Sequence, residues 1–235
     1  AFTLFNSAQV FFVNVLDPKK HKKTVAEEQM DVVDNQIELP LEAIASSVEI
    51  TGKTAGEDYE AFYSDTKCVV EFLKETTGKL TVKYDAVDAS QVTKSDIIGG
   101  YSVSTHKTTG LELINNVFPL YTKVPDLILC PNWSHDAEVA AVMSAKAENI
   151  NGLFEGEAIL DIDCTAETGA TYYTEVPAWK KQKNFTKRTE VVCFPKVALG
   201  DRVFNLSTQL AASMSAVDNA EEYGGGTPCE SASNK

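Results

Sequence analysis

The stretch from Val124 to Asp163 constrains the fold more than any other, because two short runs without alternating polarity bracket a segment of helical periodicity. Pro125-Asp-Leu-Ile-Leu-Cys130 and Ala158-Ile-Leu-Asp-Ile-Asp163 follow the pattern of parallel strands covered on both faces. Between them Val139, Met143, Ala147 and Ile150 recur at helical spacing, predicting a helix from Ala137 to about Asn151. The loop Pro131-Asn-Trp-Ser-His-Asp136 offers Ser134 or Asp136 as helix cap, and Gly152 is placed to end the helix. The result is a β-α-β unit with a right-handed crossover. The expected fold class is α/β, a mostly parallel sheet core, and the apolar run Gln9-Val-Phe-Phe-Val-Asn-Val-Leu16 is expected to join that sheet.

The texture changes after Asp17-Pro18, where Lys19, Lys20, Lys22 and Lys23 surround His21. From 21 to 98 short alternating runs follow one another: 29–33 and 36–39 around an Asp34-Asn35 turn, then 46–50, 59–63, 68–73 and 79–84. Gly52, Gly56, Asp65 and Gly78 separate them, so the segment reads as an inserted, mainly antiparallel β domain, a sandwich or small barrel. The core domain is then discontinuous, 1–20 plus 99–235. The insert holds 8 lysines against 16 acidic residues and carries much of the negative charge.

Thr93 to Ile98 is expected to form a helical turn ended by Gly99-Gly100, and Leu111, Ile114 and Val117-Phe118 a helix stopped by Pro119. Beyond Asp163, Thr171–Val176 and Glu190–Phe194 read as strands, with Trp179–Arg188 as an exposed hairpin between them. Leu206, Leu210, Met214 and Val217 make a further helical stripe, and Tyr223–Lys235 has the composition of a flexible tail.

A net charge of -13, from 21 Lys plus Arg against 34 Asp plus Glu, opposes general capture of nucleic acid or anionic membrane. No segment has the apolar length of a membrane span. Cys68, Cys130, Cys164, Cys193 and Cys229 form no CxxC pair or close framework, the pattern of buried free thiols made in a reducing compartment. The opening without Met and the ending at Ser-Asn-Lys235 suggest a fragment or processed chain.

Chemistry is sparse. Ser134, His135 and Asp136 bring the residue types of a hydrolase together, yet adjacent positions on one loop do not by themselves make a relay, and no nucleophile-elbow motif accompanies them. A helix cap at Ser134 or Asp136 is the structural alternative. Asp161 and Asp163, with Asp136 or Glu167, form a candidate metal set, against the plainer reading of carboxylates at a strand end. No dinucleotide or ATP motif is present, so neither metal nor cofactor is assigned. Lys180, Lys181, Lys183, Lys187 and Arg188 are the main basic segment, with aromatics beside them; a contact to a neighbouring acidic subunit suits the global charge better than a nucleic-acid groove.

Joined together, Val124-Pro-Asp-Leu-Ile-Leu-Cys-Pro-Asn-Trp-Ser-His-Asp-Ala-Glu-Val-Ala-Ala141, the acidic strand Ala158–Asp163 and the terminal Gly224-Gly-Gly-Thr-Pro-Cys-Glu-Ser-Ala-Ser-Asn-Lys235 resemble the contractile tail sheath proteins of bacteriophages and related injection particles. Ala232 stands where that family's terminal segment usually has proline, and Cys130 and Trp133 where it more often has small residues. The resemblance extends through the Gln9–Leu16 strand, the Asp58-Tyr59 hairpin and Asp96-Ile-Ile-Gly-Gly100.

The resemblance implies a subtilisin-like α/β domain with a peripheral β domain, part of a larger sheath protein, with no proteolysis attached to the label. It also implies sixfold rings stacked around a tail tube that contract to drive the tube through a cell envelope. The implied partners are other sheath subunits, the tube, baseplate and tail terminator proteins, with no nucleic acid and no membrane insertion. The implied location is the virion tail, assembled in the host cytoplasm, and this chain alone is expected to be monomeric.

Overall fold

A computed structural model describes residues 9–218, and the chain divides into two compact units, 15–93 and 94–218 with the segment 9–14. Each is built around its own core, and the tail motif 224–235 lies outside the described residues.

The unit 15–93 is a pair of antiparallel three-stranded sheets. Strands β1 (Lys22–Val32), β2 (Gln36–Pro40), β3 (Glu49–Ile50), β4 (Tyr59–Tyr63), β5 (Lys67–Phe72) and β6 (Gly78–Val87) pair in the orders β1-β6-β3 and β2-β5-β4. Asp34 and Asn35 turn the chain from β1 to β2 with φ of 49° and 62°, the left-handed pair of a tight hairpin. Period-two alternation sends Ile37, Leu39, Cys68, Val70 and Phe72 inward from one sheet to meet Ile50, Val82, Tyr84 and Ala86 of the other. Each large apolar side chain buried there contributes about 1.5–3 kcal/mol. Of the two expected forms this is the open sandwich: neither sheet closes on itself.

The second unit opens with α1 (Lys94–Ile98), the hairpin β7 (Gly100–Ser102) and β8 (Lys107–Thr109), a 3₁₀ turn over Gly110–Leu113, and α2 (Ile114–Tyr121). Its parallel sheet contains β9 (Leu127–Leu129), β10 (Glu157–Asp161) and β11 (Glu190–Cys193) in the order β11-β10-β9. Helix α3 (Ala137–Glu148) is the crossover from β9 to β10 and packs against both. Ile159 and Cys193 face α5 (Leu206–Asp218), whose Leu206, Leu210, Ala211 and Met214 cover them. Alternation leaves Ala158 and Leu160 for the α3 side, so β10 is buried on both faces, as its unbroken apolar run requires.

Several local expectations are corrected. Gln9–Leu16 pairs with no strand: Phe12 is 85% exposed, and Phe11 lies against Tyr121 with ring centroids 5.2 Å apart. An apolar run becomes a sheet strand only where neighbours offer ladder partners and cover its faces, and among the described residues the sheet holds the three strands 127–129, 157–161 and 190–193. Thr171–Val176 is a turn instead of a strand, and Trp179–Arg188 is no hairpin, because α4 (Val176–Gln182), with Pro177 in its first turn, runs through the first four residues of that segment. Pro119 sits inside α2, which runs on to Tyr121 and closes with the Thr122 N–H on the Phe118 carbonyl. Helix α3 stops at Glu148, three residues short of the expectation, and Asn149 is its C-cap.

Candidate functional site

Two of the candidate residues, Ser134 and Asp161, meet where the loop after β9, the end of β10 and the start of α5 come together. Ser134 is fully buried, and its hydroxyl accepts the Asp161 backbone N–H at 2.9 Å while donating to the Asp161 carboxylate at 3.2 Å. The same carboxylate accepts the Ser207 N–H at 2.9 Å and the Ser207 hydroxyl at 2.5 Å. Asn205, just ahead of α5, donates to the Asn132 side chain at 2.8 Å and adds a second tie between loop and helix.

This is a buried polar latch. Taking a carboxylate out of water is costly unless its lone pairs are filled, and three donors fill them here. Its position at the first turn of α5 also places negative charge at the positive end of a helix.

Asp136 has a different duty: its side chain accepts the N–H groups of Glu138 at 2.9 Å and Val139 at 3.3 Å, capping α3. Ser134 does not share this role, since its hydroxyl is turned into the core toward Asp161. His135 between them is exposed.

The hydroxyl that a hydrolase would need as nucleophile is therefore inaccessible and already committed at both its donor and acceptor sites. The other imidazoles are engaged as well: His21 Nδ1 accepts the Asp17 N–H, and His106 Nδ1 lies 3.0 Å from the Tyr101 hydroxyl. Asp163 does not join Asp161 in a metal set. It bonds the Thr165 N–H at 2.9 Å and the hydroxyls of Thr165 and Thr168 at 3.0 and 2.6 Å, which shape the loop that follows. Burial pushes its carboxyl up, but these bonds outweigh it and hold the group below the usual range. Among the described residues no three His, Cys, Asp or Glu side chains converge as metal ligands. Burial drives the Cys130 and Cys193 thiols up to about 12, which makes them poor nucleophiles.

The basic segment is divided by the fold. Lys187 pairs with Glu148 at 2.9 Å, Arg188 pairs with Glu155, and the Lys183 ammonium stands 5.8 Å from the centre of the Trp179 ring. Trp179 is buried, donates from Nε1 to the Thr168 carbonyl, and meets Phe185 edge-on. Lys180 and Lys181 close the last turn of α4.

Sequence reasoning reached Ser134, Asp136 and Asp161 but missed Ser207 and Asn205. The only local signal for them is an Asn-Leu-Ser start to a helical stripe; the partner carboxylate lies 46 residues away in the chain. No helix among the described residues is long and apolar enough to cross a membrane.

No family model matches the chain, and no solved structure does. A tail sheath protein of Burkholderia phage BcepMu is 24% identical over 235 residues, covering 93% of this chain and 48% of that protein. The chain thus spans about half the length of the curated relative it matches. Similarity covering 93% of the chain must run through both compact units, so the likeness to a phage tail sheath protein is not confined to one of them.

Proposed function

We propose that this chain is the structural part of a contractile tail sheath subunit. It assembles with further copies as stacked sixfold rings around a tail tube, in the virion tail, after synthesis in the bacterial cytoplasm. Contraction of the stack drives the tube through a cell envelope, with baseplate and terminator proteins bounding its ends. The observation that carries this reading is the similarity to a tail sheath protein along 93% of the chain.

The subunit acts without catalysis. Ser134, the one serine in a hydrolase-like context, is a buried strut on Asp161, so it supports shape and not turnover.

Electron microscopy of the full-length protein expressed with its tube tests the assignment. Regular sheathed particles are expected, and unsheathed tubes beside soluble protein would remove the reading. Peptide and ester hydrolysis should stay at the level of a heat-denatured control. Turnover that co-purifies with the protein and disappears in a stably folded Ser134→Ala variant would restore the hydrolase.

A further inference from the structure

Tyr172 and Tyr173 are 68% and 79% exposed, yet they stand on a well-fixed turn. The Glu175 carboxylate accepts the N–H groups of Thr171 and Tyr172 at 2.8 and 3.0 Å and the Thr171 hydroxyl at 3.2 Å. Bonds from the N–H groups of Glu175 and Val176 to the carbonyls of Tyr172 and Tyr173 run the turn directly into α4. Backbone bonds from Tyr172 and then Thr171 hold the Glu175 carboxyl below its usual range, so the brace persists at neutral pH. Two large amphipathic rings presented on an ordered turn lose little freedom on docking, and tyrosine is among the residues enriched where binding energy concentrates.

The charge beside them is uncompensated. Of the five cations in the segment, Lys187 and Arg188 are spent on Glu148 and Glu155 and Lys183 stands by Trp179, whereas Lys180 and Lys181 enter no ion pair among the described residues. Lys181 lies two residues beyond the buried Trp179, and so on the solvent side of the helix.

A complementary surface occurs on this same chain. Glu60 of β4 and Glu71 of β5 are direct cross-strand partners, both exposed, and neither has an ion-pair partner among the described residues. Like charges placed opposite one another weaken a sheet. In the next row of the same face Phe62 lies opposite Val69 and is 43% exposed, which supplies an apolar neighbour for an aromatic side chain. A cationic, tyrosine-bearing surface matches both features.

We propose that the Tyr172-Tyr173 turn and the Lys180-Lys181 end of α4 dock on the Glu60-Glu71 sheet face of a second copy of this chain. The two surfaces differ, so the contact is heterologous: each copy keeps one surface free for the next, and the contact propagates into a ring or filament. This rests on the reading of the chain as an assembling subunit and names the surfaces that it uses.

Reciprocal charge reversal tests it. Self-association of the chain at low salt is followed by sedimentation velocity for Lys180→Glu/Lys181→Glu, for Glu60→Lys/Glu71→Lys, and for an equal mixture of the two. Each variant alone should associate about tenfold more weakly than the original chain, and the mixture should recover it, because every junction between unlike copies is again complementary. Tyr172→Ala/Tyr173→Ala should weaken association without recovery by either partner. Original protein that stays monomeric across the concentration series, as the resemblance implies for this chain alone, or a mixture no better than its components, overturns the contact. Imaging the full-length variants with the tube separates the two readings: ordered sheath from both reversal variants would leave the sheath assignment standing and reject this interface. Absence of sheath from the original protein would reject the assignment itself.

Discussion

Asp161 and Ser207 are joined by two hydrogen bonds, 2.9 Å from the serine amide and 2.5 Å from its hydroxyl, so the last residue of the central parallel strand caps the final described helix. Ser134 approaches the same carboxylate from the opposite loop. Removing the carboxylate as Asp161→Ala strands two buried hydroxyls and one amide donor and should cost about 3 kcal/mol in denaturant unfolding. Ser134→Ala and Ser207→Ala should each cost about 1–2 kcal/mol, and their double mutant should depart from additivity because they share one carboxylate. Strict additivity would mean that the three side chains do not act as one unit.

The cap of α3 should respond separately. Asp136→Ala should lower stability by about 1 kcal/mol, since two first-turn amides lose their acceptor, while Asp136→Asn keeps most of it. His135→Ala should leave the unfolding midpoint unchanged. A larger loss at His135 than at Asp136 would contradict the capping geometry.

Gly99 and Gly110 cross at backbone contact, with φ of 65° and 59°. A Cβ on Gly99 would stand 2.0 Å from the Thr109 carbonyl oxygen, and one on Gly110 would stand 2.5 Å from that of Ile97. Neither backbone can retreat without opening the hairpin β7–β8. Gly99→Ala and Gly110→Ala should each cost at least about 3 kcal/mol, in contrast to Gly52→Ala, whose added methyl meets open space and which should lose only the positive-φ penalty of about 1 kcal/mol. Thermal melts of the three variants give the ranking.

Glu112 and Lys146 provide a pH test. The hydrogen bond from Lys146 at 2.5 Å holds the Glu112 carboxyl below its usual range; burial works against that, and Asn115 adds a second bond at 3.0 Å. A carboxyl with a depressed folded pKa stabilises the fold above its unfolded value, and that contribution disappears as pH falls through the folded value. Glu112→Gln should therefore cost about 0.5 kcal/mol near pH 7, a modest figure because the pair is partly exposed, and the gap from the original protein should close as pH falls through the folded value. A gap that is constant with pH would assign the effect to packing.

The inserted β unit is proposed to be separable. Replacing 21–98 by a short linker should leave 1–20 plus 99–235 with cooperative melting and the circular dichroism of its helices. Loss of the transition would show that the core needs the insert in order to fold.

Much was legible in the sequence because it depends on near neighbours. Alternation fixed the inward face of β5 and β2, the Asp34-Asn35 pair fixed the hairpin, and continuous apolarity in Ala158–Asp161 marked a strand covered on both sides. The same logic misled at Gln9–Leu16, where apolar content predicts burial but cannot supply the neighbouring strand that burial needs. It misled again at Thr171–Val176, where β-prone side chains yielded to a carboxylate four residues on that closes a turn. The latch itself was out of reach. Ser134, Asp161 and Ser207 are ordinary polar residues until three separate elements bring them within 2.5–3.2 Å, and only in that dry junction does their hydrogen bonding become obligatory. Local periodicity thus determined the strands and helices of this chain, whereas the pairing of distant polar groups, which turned a hydrolase-like loop into a structural strut, was decided by tertiary packing.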